Sequence, residues 1–214
     1  MLTVGLCGGS GTGKNLVSSL LAPYGIPSLD TDALYHTLIA ADSPLSRELI
    51  SLFGDEIGTA DGGIDRAALG RLVFGEEKEA IARRLALNRV THSAILAECR
   101  LWLKKQAEKG VIAAVINAPL LFESGFQEEC DLTVAVLASE EVRLARVCER
   151  DDISAEAARA RIAAQKDNEY LMAHADISLF NDGTQEELEE KVRELVKTIN
   201  MIAEEQTNGK RKPV

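Results

Sequence analysis

The feature of this sequence that most constrains its fold is a glycine-rich loop between a short apolar run and a helix-forming segment. The loop reads GGSGTGK from Gly8 to Lys14 and satisfies the pattern GxxxxGK. It follows the run Leu2–Cys7, which is typical of a buried strand, and it precedes a helical pattern over residues 14–22. In this setting the backbone amides face a phosphate group, and the helix N-terminus adds partial positive charge. The sequence therefore predicts a site for a nucleoside triphosphate.

Two other interpretations of the loop are a turn that only joins strand to helix and a dinucleotide-binding GxGxxG loop. The second fails because the pattern that begins at Gly9 and Gly11 requires a glycine at position 14, where the chain has Lys14. That lysine would reach the β- and γ-phosphates of ATP. The residues of this segment predicted to bind ATP are Gly9, Ser10, Gly11, Thr12, Gly13, Lys14, Asn15 and Leu16.

Short strand patterns alternate with helical patterns along the whole chain. The strand candidates are Leu2–Cys7, Ile26–Leu29, Val111–Ile116, Leu132–Leu137 and Ile177–Phe180. Because a crossover helix is the usual connection between parallel neighbours, we predict an α/β fold with a parallel five-stranded sheet sandwiched by helices. We expect one domain over residues 1–205, with its core in 1–32, 110–139 and 171–205 and helical insertions at 33–109 and 140–170. The polar segment 206–214 is expected to be a disordered tail.

Composition limits the partners and the compartment. The net charge of −10 argues against an extended basic surface for nucleic acid. The chain has no uninterrupted apolar run of about 18–20 residues, so we expect no membrane segment. Its four cysteines show no CxxC spacing, which predicts reduced thiols rather than disulfides or zinc. We therefore expect a cytoplasmic protein, monomeric or a small homo-oligomer.

Asn15 departs from the usual phosphate loop, because a serine or threonine hydroxyl normally follows the lysine and ligates Mg²⁺. An amide oxygen is also a hard neutral donor. Asn15 is accordingly a doubtful Mg²⁺ ligand, acting directly or through water.

Two carboxylates follow the second strand candidate. Asp30 and Asp32 should lie at the carboxyl edge of the sheet, where ligands of α/β folds bind. A carboxylate there can accept the proton of an attacking hydroxyl or hold a water of the metal shell. Asp32 could instead cap a helix that begins near Ala33. Spacing alone does not choose between these roles.

Three arginines share one face of the helix predicted after the fourth strand: Arg143, Arg146 and Arg150. Such a face can close over a triphosphate, neutralise charge in the transition state and exclude water. It could equally be a solvated face paired with the nearby glutamates at positions 140, 141 and 149.

Two further segments carry weaker signals. The segment Asn117–Glu123 follows the third strand, where it could support an acceptor pocket or simply form part of the core. His92 lies in a helical stretch without a nearby metal-ligand partner, which favours a packed or surface histidine.

Taken together, these segments resemble the dephospho-coenzyme A kinase family, and the resemblance runs nearly from end to end. Beyond the phosphate loop and the Asp-x-Asp pair, it is carried by several short motifs. They are Phe53-Gly54, the turn Asp61 to Arg66, His92, the segment Pro119 to Glu123, Arg150-Asp151, Gln165, Ala175-Asp176 and the segment Asn181 to Gly183.

The resemblance implies a kinase that uses ATP and Mg²⁺ to phosphorylate the ribose 3′-hydroxyl of dephospho-CoA. It makes 33–109 the substrate-binding insertion and 140–170 a lid. Asp32 becomes the general base, Asp30 orders the acceptor or metal waters, and Arg150 holds ATP phosphates. Lys14 and Arg146 are implied to stabilise the transferring phosphoryl group. The acceptor-binding residues implied are Asp30, Asp32, His36, His92 and Leu120.

The chain departs from the family pattern at four positions: Cys7, Asn15, His36 and Ser93. These departures affect the expected metal site, rate and acceptor contacts rather than the fold. Two alternatives remain open at this point. One is another small-molecule kinase with the same loop, and the other is a nucleotide-binding module that senses ATP without catalysis.

Overall fold

A five-stranded parallel sheet organises part of the structure, a computed structural model that describes residues 1–75 and 77–209, with side chains through 206. Its strands are β1 (Leu2–Cys7), β2 (Ser28–Asp30), β3 (Ala113–Asn117), β4 (Leu132–Leu137) and β5 (Ile177–Phe180). Their order across the sheet is β2-β3-β1-β4-β5, and every pairing is parallel. The predicted α/β fold with a parallel five-stranded sheet is therefore confirmed.

The helices of the described residues connect these strands or extend from them. They are α1 (Lys14–Leu21), α2 (Thr31–Leu38), α3 (Pro44–Phe53), α4 (Arg66–Val73), α5 (Lys78–Glu108), α6 (Glu140–Asp151), α7 (Ala155–Ala163), α8 (Asn168–His174) and α9 (Gln185–Gly209). Short 3-10 turns occur at Ala22–Tyr24, Asp55–Ile57 and Phe126–Glu129. Within the described residues, none of these helices is long and apolar enough to cross a bilayer.

The chain divides into two compact units. The core unit contains Met1–Asp30 and the described residues from Leu103 onward, and the helical unit contains Thr31–Trp102. The helical unit overlaps the insertion predicted at 33–109, but its bounds differ from that prediction. The last residues of α5 belong to the core unit.

In the core unit, apolar side chains of the sheet pack against α1 and α9. Leu6 of β1 and Val134 of β4 are fully buried, and they share one cluster with Val17 of α1 and Ile199 of α9. Burial of both faces explains why the central strands read as nearly continuous apolar runs. The sheet thus fixes the carboxyl end of β1, from which the phosphate loop begins.

The helical unit has its own apolar core, formed by Ile39, Leu45, Leu49, Ile57, Ala68, Leu69 and Val73. Side chains define where two of its helices begin. The Oγ of Ser43 accepts from the Ser46 amide at 2.9 Å at the start of α3. Asp65 accepts from the Ala67 and Ala68 amides at the start of α4.

β2 and β3 each end one residue later than the sequence predicts. β2 begins at Ser28 rather than at position 26, because Pro27 has no amide hydrogen for the ladder, although its carbonyl accepts from Val115 at 2.9 Å. β3 correspondingly ends at Asn117. The shift places Asp30 and Asn117 opposite each other in the parallel register.

The C-terminal prediction is wrong for residues 206–209. α9 continues through Gly209: its apolar stripe packs on the sheet as far as Ala203, and fewer than two further turns extend beyond. The rest of the predicted tail, residues 210–214, lies outside the described residues.

Leu188→Ala tests the packing of α9 on the sheet. Leu188 is 2% exposed, so removing its side chain should lower the free energy of unfolding by about 2–5 kcal/mol. Leu101→Ala, at a leucine that is 50% exposed, is the matched control and should change it by about 0.5 kcal/mol or less. Urea unfolding monitored by circular dichroism measures both. Equal losses in the two variants would contradict this account of the core.

Candidate active site

The phosphate loop leaves the carboxyl end of β1 in a conformation that only glycine can adopt at key positions. Gly11 has φ of 80°, and a Cβ there would lie 2.6 Å from the Arg143 carbonyl oxygen. At Gly8 a Cβ would lie 2.5 Å from the Val136 carbonyl oxygen. The Thr12 hydroxyl donates to the Gly9 carbonyl at 2.9 Å and closes the turn. The loop is therefore tightly enclosed by β4 and α6.

A hydrogen-bond network of Arg143 and Gln165 holds Ser10 in this loop. Arg143 donates from Nε to the Ser10 carbonyl at 3.0 Å and from Nη2 to the Gln165 Oε1 at 3.1 Å. The same Oε1 accepts from the Ser10 amide at 2.8 Å, and Gln165 Nε2 donates to the Ser10 hydroxyl at 3.2 Å. α6 and the segment between α7 and α8 thus both hold the loop.

Arg143 places a buried positive charge beside the loop. It is only 4% exposed, and burial lowers the pKa of its guanidinium, while the nearby Glu140 charge raises it. Because arginine is by far the most basic side chain, the guanidinium stays protonated in the working range of pH. Its charge adds to that of the α1 N-terminus and favours an anion at the loop.

Arg146 contacts the loop from its other edge. Its Nη1 donates to the carbonyls of Gly11 at 3.3 Å and of Asn181 at 2.9 Å. The Asn181 side chain donates in turn to the Thr12 carbonyl at 2.8 Å. The segment after β5 therefore joins α6 at the loop, and the guanidinium of Arg146 lies beside the place where phosphates are expected.

Arg150 points away from this network. Its Nε and Nη2 form a two-point ion pair with Asp151, each at 2.8 Å, and Arg161 pairs with the same carboxylate. Hydrogen bonding to Arg150 is the largest cause that lowers the pKa of Asp151 to about 2, with a smaller contribution from Arg161. The predicted contact of Arg150 with ATP stays a prediction, because it requires this side chain to leave Asp151.

Asn15 lies at the carboxyl edge of β1, β2 and β3. Its Oδ1 accepts from Lys14 Nζ at 3.2 Å and from Asn117 Nδ2 at 2.8 Å. Its Nδ2 donates to Asp30 Oδ2 at 3.1 Å. The structure thus brings together three residues predicted for the site, Lys14, Asn15 and Asp30, and adds Asn117 to them.

Cys7 and the segment after β3 complete this edge. Burial is the main cause that raises the pKa of the Cys7 thiol to about 12, and the charge of Glu123 raises it further. The thiol is therefore protonated and unreactive. Leu121 is fully buried, whereas Leu120 is 49% exposed. Leu121 therefore packs in the core, and Leu120 is accessible to a ligand.

Comparisons with known proteins identify the family. The model of the dephospho-CoA kinase family matches residues 2–187. A dephospho-CoA kinase of Thermobifida fusca is 37% identical over 195 residues, which are 91% of this chain and 94% of that protein.

The chain belongs to the dephospho-CoA kinase family.

Two solved structures resemble the fold. TT1252 from Thermus thermophilus has a TM-score of 0.76 and 32% identity, with 92% of this chain and 97% of that chain covered. Dephospho-CoA kinase from Campylobacter jejuni has a TM-score of 0.61 and 23% identity, with 92% and 96% covered, and supports the fold alone. The predicted resemblance is therefore confirmed at the level of family and P-loop kinase fold.

The remaining acceptor residues predicted from the family lie in the helical unit. Asp32 is in the first turn of α2, which begins at Thr31, so its alternative as a cap before Ala33 is wrong. Its carboxylate is exposed and lies near the positive end of that helix. His36 is exposed in the last turn of α2, and His92 is half-buried in α5. Their roles toward the acceptor stay predictions.

Sequence reasoning missed the roles of Gln165, Asn181 and Asn117, although all three carry family motifs or flank a strand. Each contacts the loop or Asn15 across more than 100 residues of chain. Periodicity along one helix or strand cannot reveal such contacts. A short polar motif directly after a predicted strand was the available signal for Asn117 and Asn181.

Gln165→Ala tests whether this side chain shapes the phosphate loop. The change removes the partner of the Ser10 amide and of Arg143, so we expect the Kd for ATP to rise about tenfold, from one or two lost hydrogen bonds. Gln185→Ala is the matched control, because its exposed side-chain amide donates to Glu189 within α9 at 3.0 Å. Isothermal titration with ATP measures both variants. An unchanged Kd for Gln165→Ala would remove Gln165 from this role.

A carboxyl titration tests the Arg150–Asp151–Arg161 cluster. Asp151 should titrate near pH 2 in the wild type, and Arg150→Ala should move its pKa upward toward 3.8 by more than Arg161→Ala does. Because the folded-state pKa is lowered, the ion pair stabilises the fold above pH 4 and is lost as pH falls through about 2. Side-chain carboxyl NMR measures the midpoint. A midpoint insensitive to Arg150→Ala would contradict the assignment.

Proposed function

We propose that this protein transfers the γ-phosphoryl group of ATP to the ribose 3′-hydroxyl of dephospho-CoA, giving CoA and ADP. The observation that carries the proposal is a phosphate loop, enclosed by Arg143, Arg146 and Gln165, in a chain matched along residues 2–187 by the dephospho-CoA kinase family. ATP and dephospho-CoA are the substrates. The predicted cytoplasmic location and the oligomeric state stay predictions.

The loop binds the triphosphate and stabilises the charge that develops during transfer. Its amides and the start of α1 present partial positive charge, and Lys14 and Arg146 add full charges beside the same loop. Because these groups are fixed before the substrate arrives, they need little reorganisation in the transition state. Arg150 adds a further contact when its pair with Asp151 opens.

Asp32 is the general base in this proposal. The 3′-hydroxyl oxygen forms a bond to the γ-phosphorus, while the bond from that phosphorus to the β–γ bridging oxygen breaks. The hydroxyl proton passes to the Asp32 carboxylate, and the electron pair of the broken bond leaves with ADP. Asp30 orders the acceptor, and His36, His92 and Leu120 provide further acceptor contacts.

Mg²⁺ is the proposed cofactor, and the residues at the edge of the sheet fit it. The Asp30 carboxylate is a hard oxygen donor, and Asn15 Nδ2 donates to it at 3.1 Å beside the phosphate loop. Within the described residues, no group of three or more His, Cys, Asp or Glu side chains is placed to hold a metal ion. Mg²⁺ held by Asp30 together with bound ATP would neutralise charge on the phosphates.

A coupled assay for ADP release, with ATP, Mg²⁺ and dephospho-CoA, tests the proposed reaction. Release above the rate without acceptor is the expected result. ADP release with nucleosides or sugar acids but not with dephospho-CoA would favour another small-molecule kinase. Tight ATP binding without turnover on any acceptor would favour a nucleotide sensor.

Asp32→Asn tests the general base. The neutral amide cannot take the proton, so we expect kcat to fall by about 10²–10⁴-fold, with the Kd for ATP nearly unchanged. Asp55→Asn is the matched control, an exposed aspartate in the 3-10 turn Asp55–Ile57, and should keep the wild-type rate. A fully active Asp32→Asn enzyme would exclude this role.

A further inference from the structure

The side chain of Asn15 makes contacts that a serine or threonine at this position would not make. It touches Lys14 from the same loop, Asn117 at the end of β3 and Asp30 at the end of β2. A hydroxyl is shorter and offers one hydrogen for donation, whereas an amide separates its acceptor from its donor. Asn15 therefore links the carboxyl ends of β2 and β3 to the lysine of the phosphate loop.

The oxygen of this amide already has a full set of partners. An amide oxygen has two lone pairs, and Oδ1 of Asn15 accepts from both Lys14 at 3.2 Å and Asn117 at 2.8 Å. A direct Mg²⁺ ligand must instead direct a lone pair at the ion from about 2.0–2.1 Å. Direct ligation would break one of these hydrogen bonds.

We propose that Asn15 is a positioning residue and not a direct Mg²⁺ ligand. It holds the Lys14 ammonium and the Asp30 carboxylate in place, and it leaves protein contacts with the ion to Asp30. This inference concerns the same site as the proposed function. It depends on that function only in taking ATP as the nucleotide that binds. Asn15 thereby replaces the lost hydroxyl ligand with a different kind of support.

This role makes a specific prediction for truncation of the side chain. Asn15→Ala removes the positioning of Lys14 in the presence and absence of metal alike. The Kd for ATP should therefore rise about tenfold in EDTA as well as in Mg²⁺. A lost metal ligand would instead weaken binding in Mg²⁺ alone.

A hydroxyl at position 15 should instead make ATP binding more dependent on Mg²⁺. Asn15→Ser supplies a metal ligand but cannot bridge Asn117 and Asp30. The ratio of the Kd in EDTA to the Kd in Mg²⁺ should rise about tenfold above the wild-type ratio, which corresponds to about 1.4 kcal/mol of added metal-dependent binding. Titration calorimetry with ATP under both conditions measures the ratio without any acceptor.

Asn15→Asp tests the hydrogen bond to Asp30 in the protein without nucleotide. The exchange removes the Nδ2 donor and places a second carboxylate beside Asp30, so the Tm in EDTA should fall by about 3 °C or more and recover on addition of Mg²⁺. Asn88→Asp, an exposed asparagine in α5, is the matched control and should keep the wild-type Tm. Thermal melts followed by circular dichroism also check that each variant folds.

Two outcomes would overturn the proposal. The first is an Asn15→Ala variant whose ATP binding weakens only in Mg²⁺, since that is the signature of a ligand. The second is an Asn15→Asp variant with an unchanged Tm. Neither measurement uses dephospho-CoA, so a failure of the proposed reaction would appear separately, as absent ADP release in the acceptor assay.

Discussion

The hydrogen bonds that hold Ser10 between Arg143 and Gln165 are the interaction on which the site depends. A glycine-rich loop loses much conformational entropy when it is ordered, so its shape must be fixed by its surroundings. Here a buried guanidinium and a carboxamide hold one side, and Asn181 holds the Thr12 carbonyl on the other. The shape of the loop therefore depends on α6, the segment before α8 and the residue after β5 together.

Three arginines on one face of α6 have different environments because they lie at different distances from the phosphate loop. Arg143 and Arg150 are seven residues apart, so they lie about 10 Å apart along the axis of α6. The first is buried beside the loop, Arg146 reaches its edge, and Arg150 extends past it to Asp151. A face that reads as uniform in sequence thus divides into a buried support, a contact to the loop and an exposed ion pair.

The sequence predicted the elements whose causes are local. The bounds of β1, β4 and β5 follow from apolar runs, and the loop follows from its glycines and Lys14. The start of β2 was predicted two residues too early, because Pro27 has no amide hydrogen to donate to the neighbouring strand. The support of the loop was missed because Ser10 and Gln165 are 155 positions apart, and no local pattern records such a pair. The roles expected of Asp32, His36 and His92 came from the family resemblance, because no local pattern in the sequence indicates them.

Asn15 shows how a departure from a motif depends on its neighbours. Judged by the motif alone, it is a lost metal ligand. The parallel register sets Asn117 opposite both Leu6 and Asp30, so two polar side chains meet at the edge that Asn15 faces. Both polar atoms of the Asn15 side chain have partners there, Asn117 for the oxygen and Asp30 for the nitrogen. The residues at these three positions are therefore mutually compatible. A residue that breaks a local rule is thus accommodated by contacts between strands, and its chemistry must be read from those contacts.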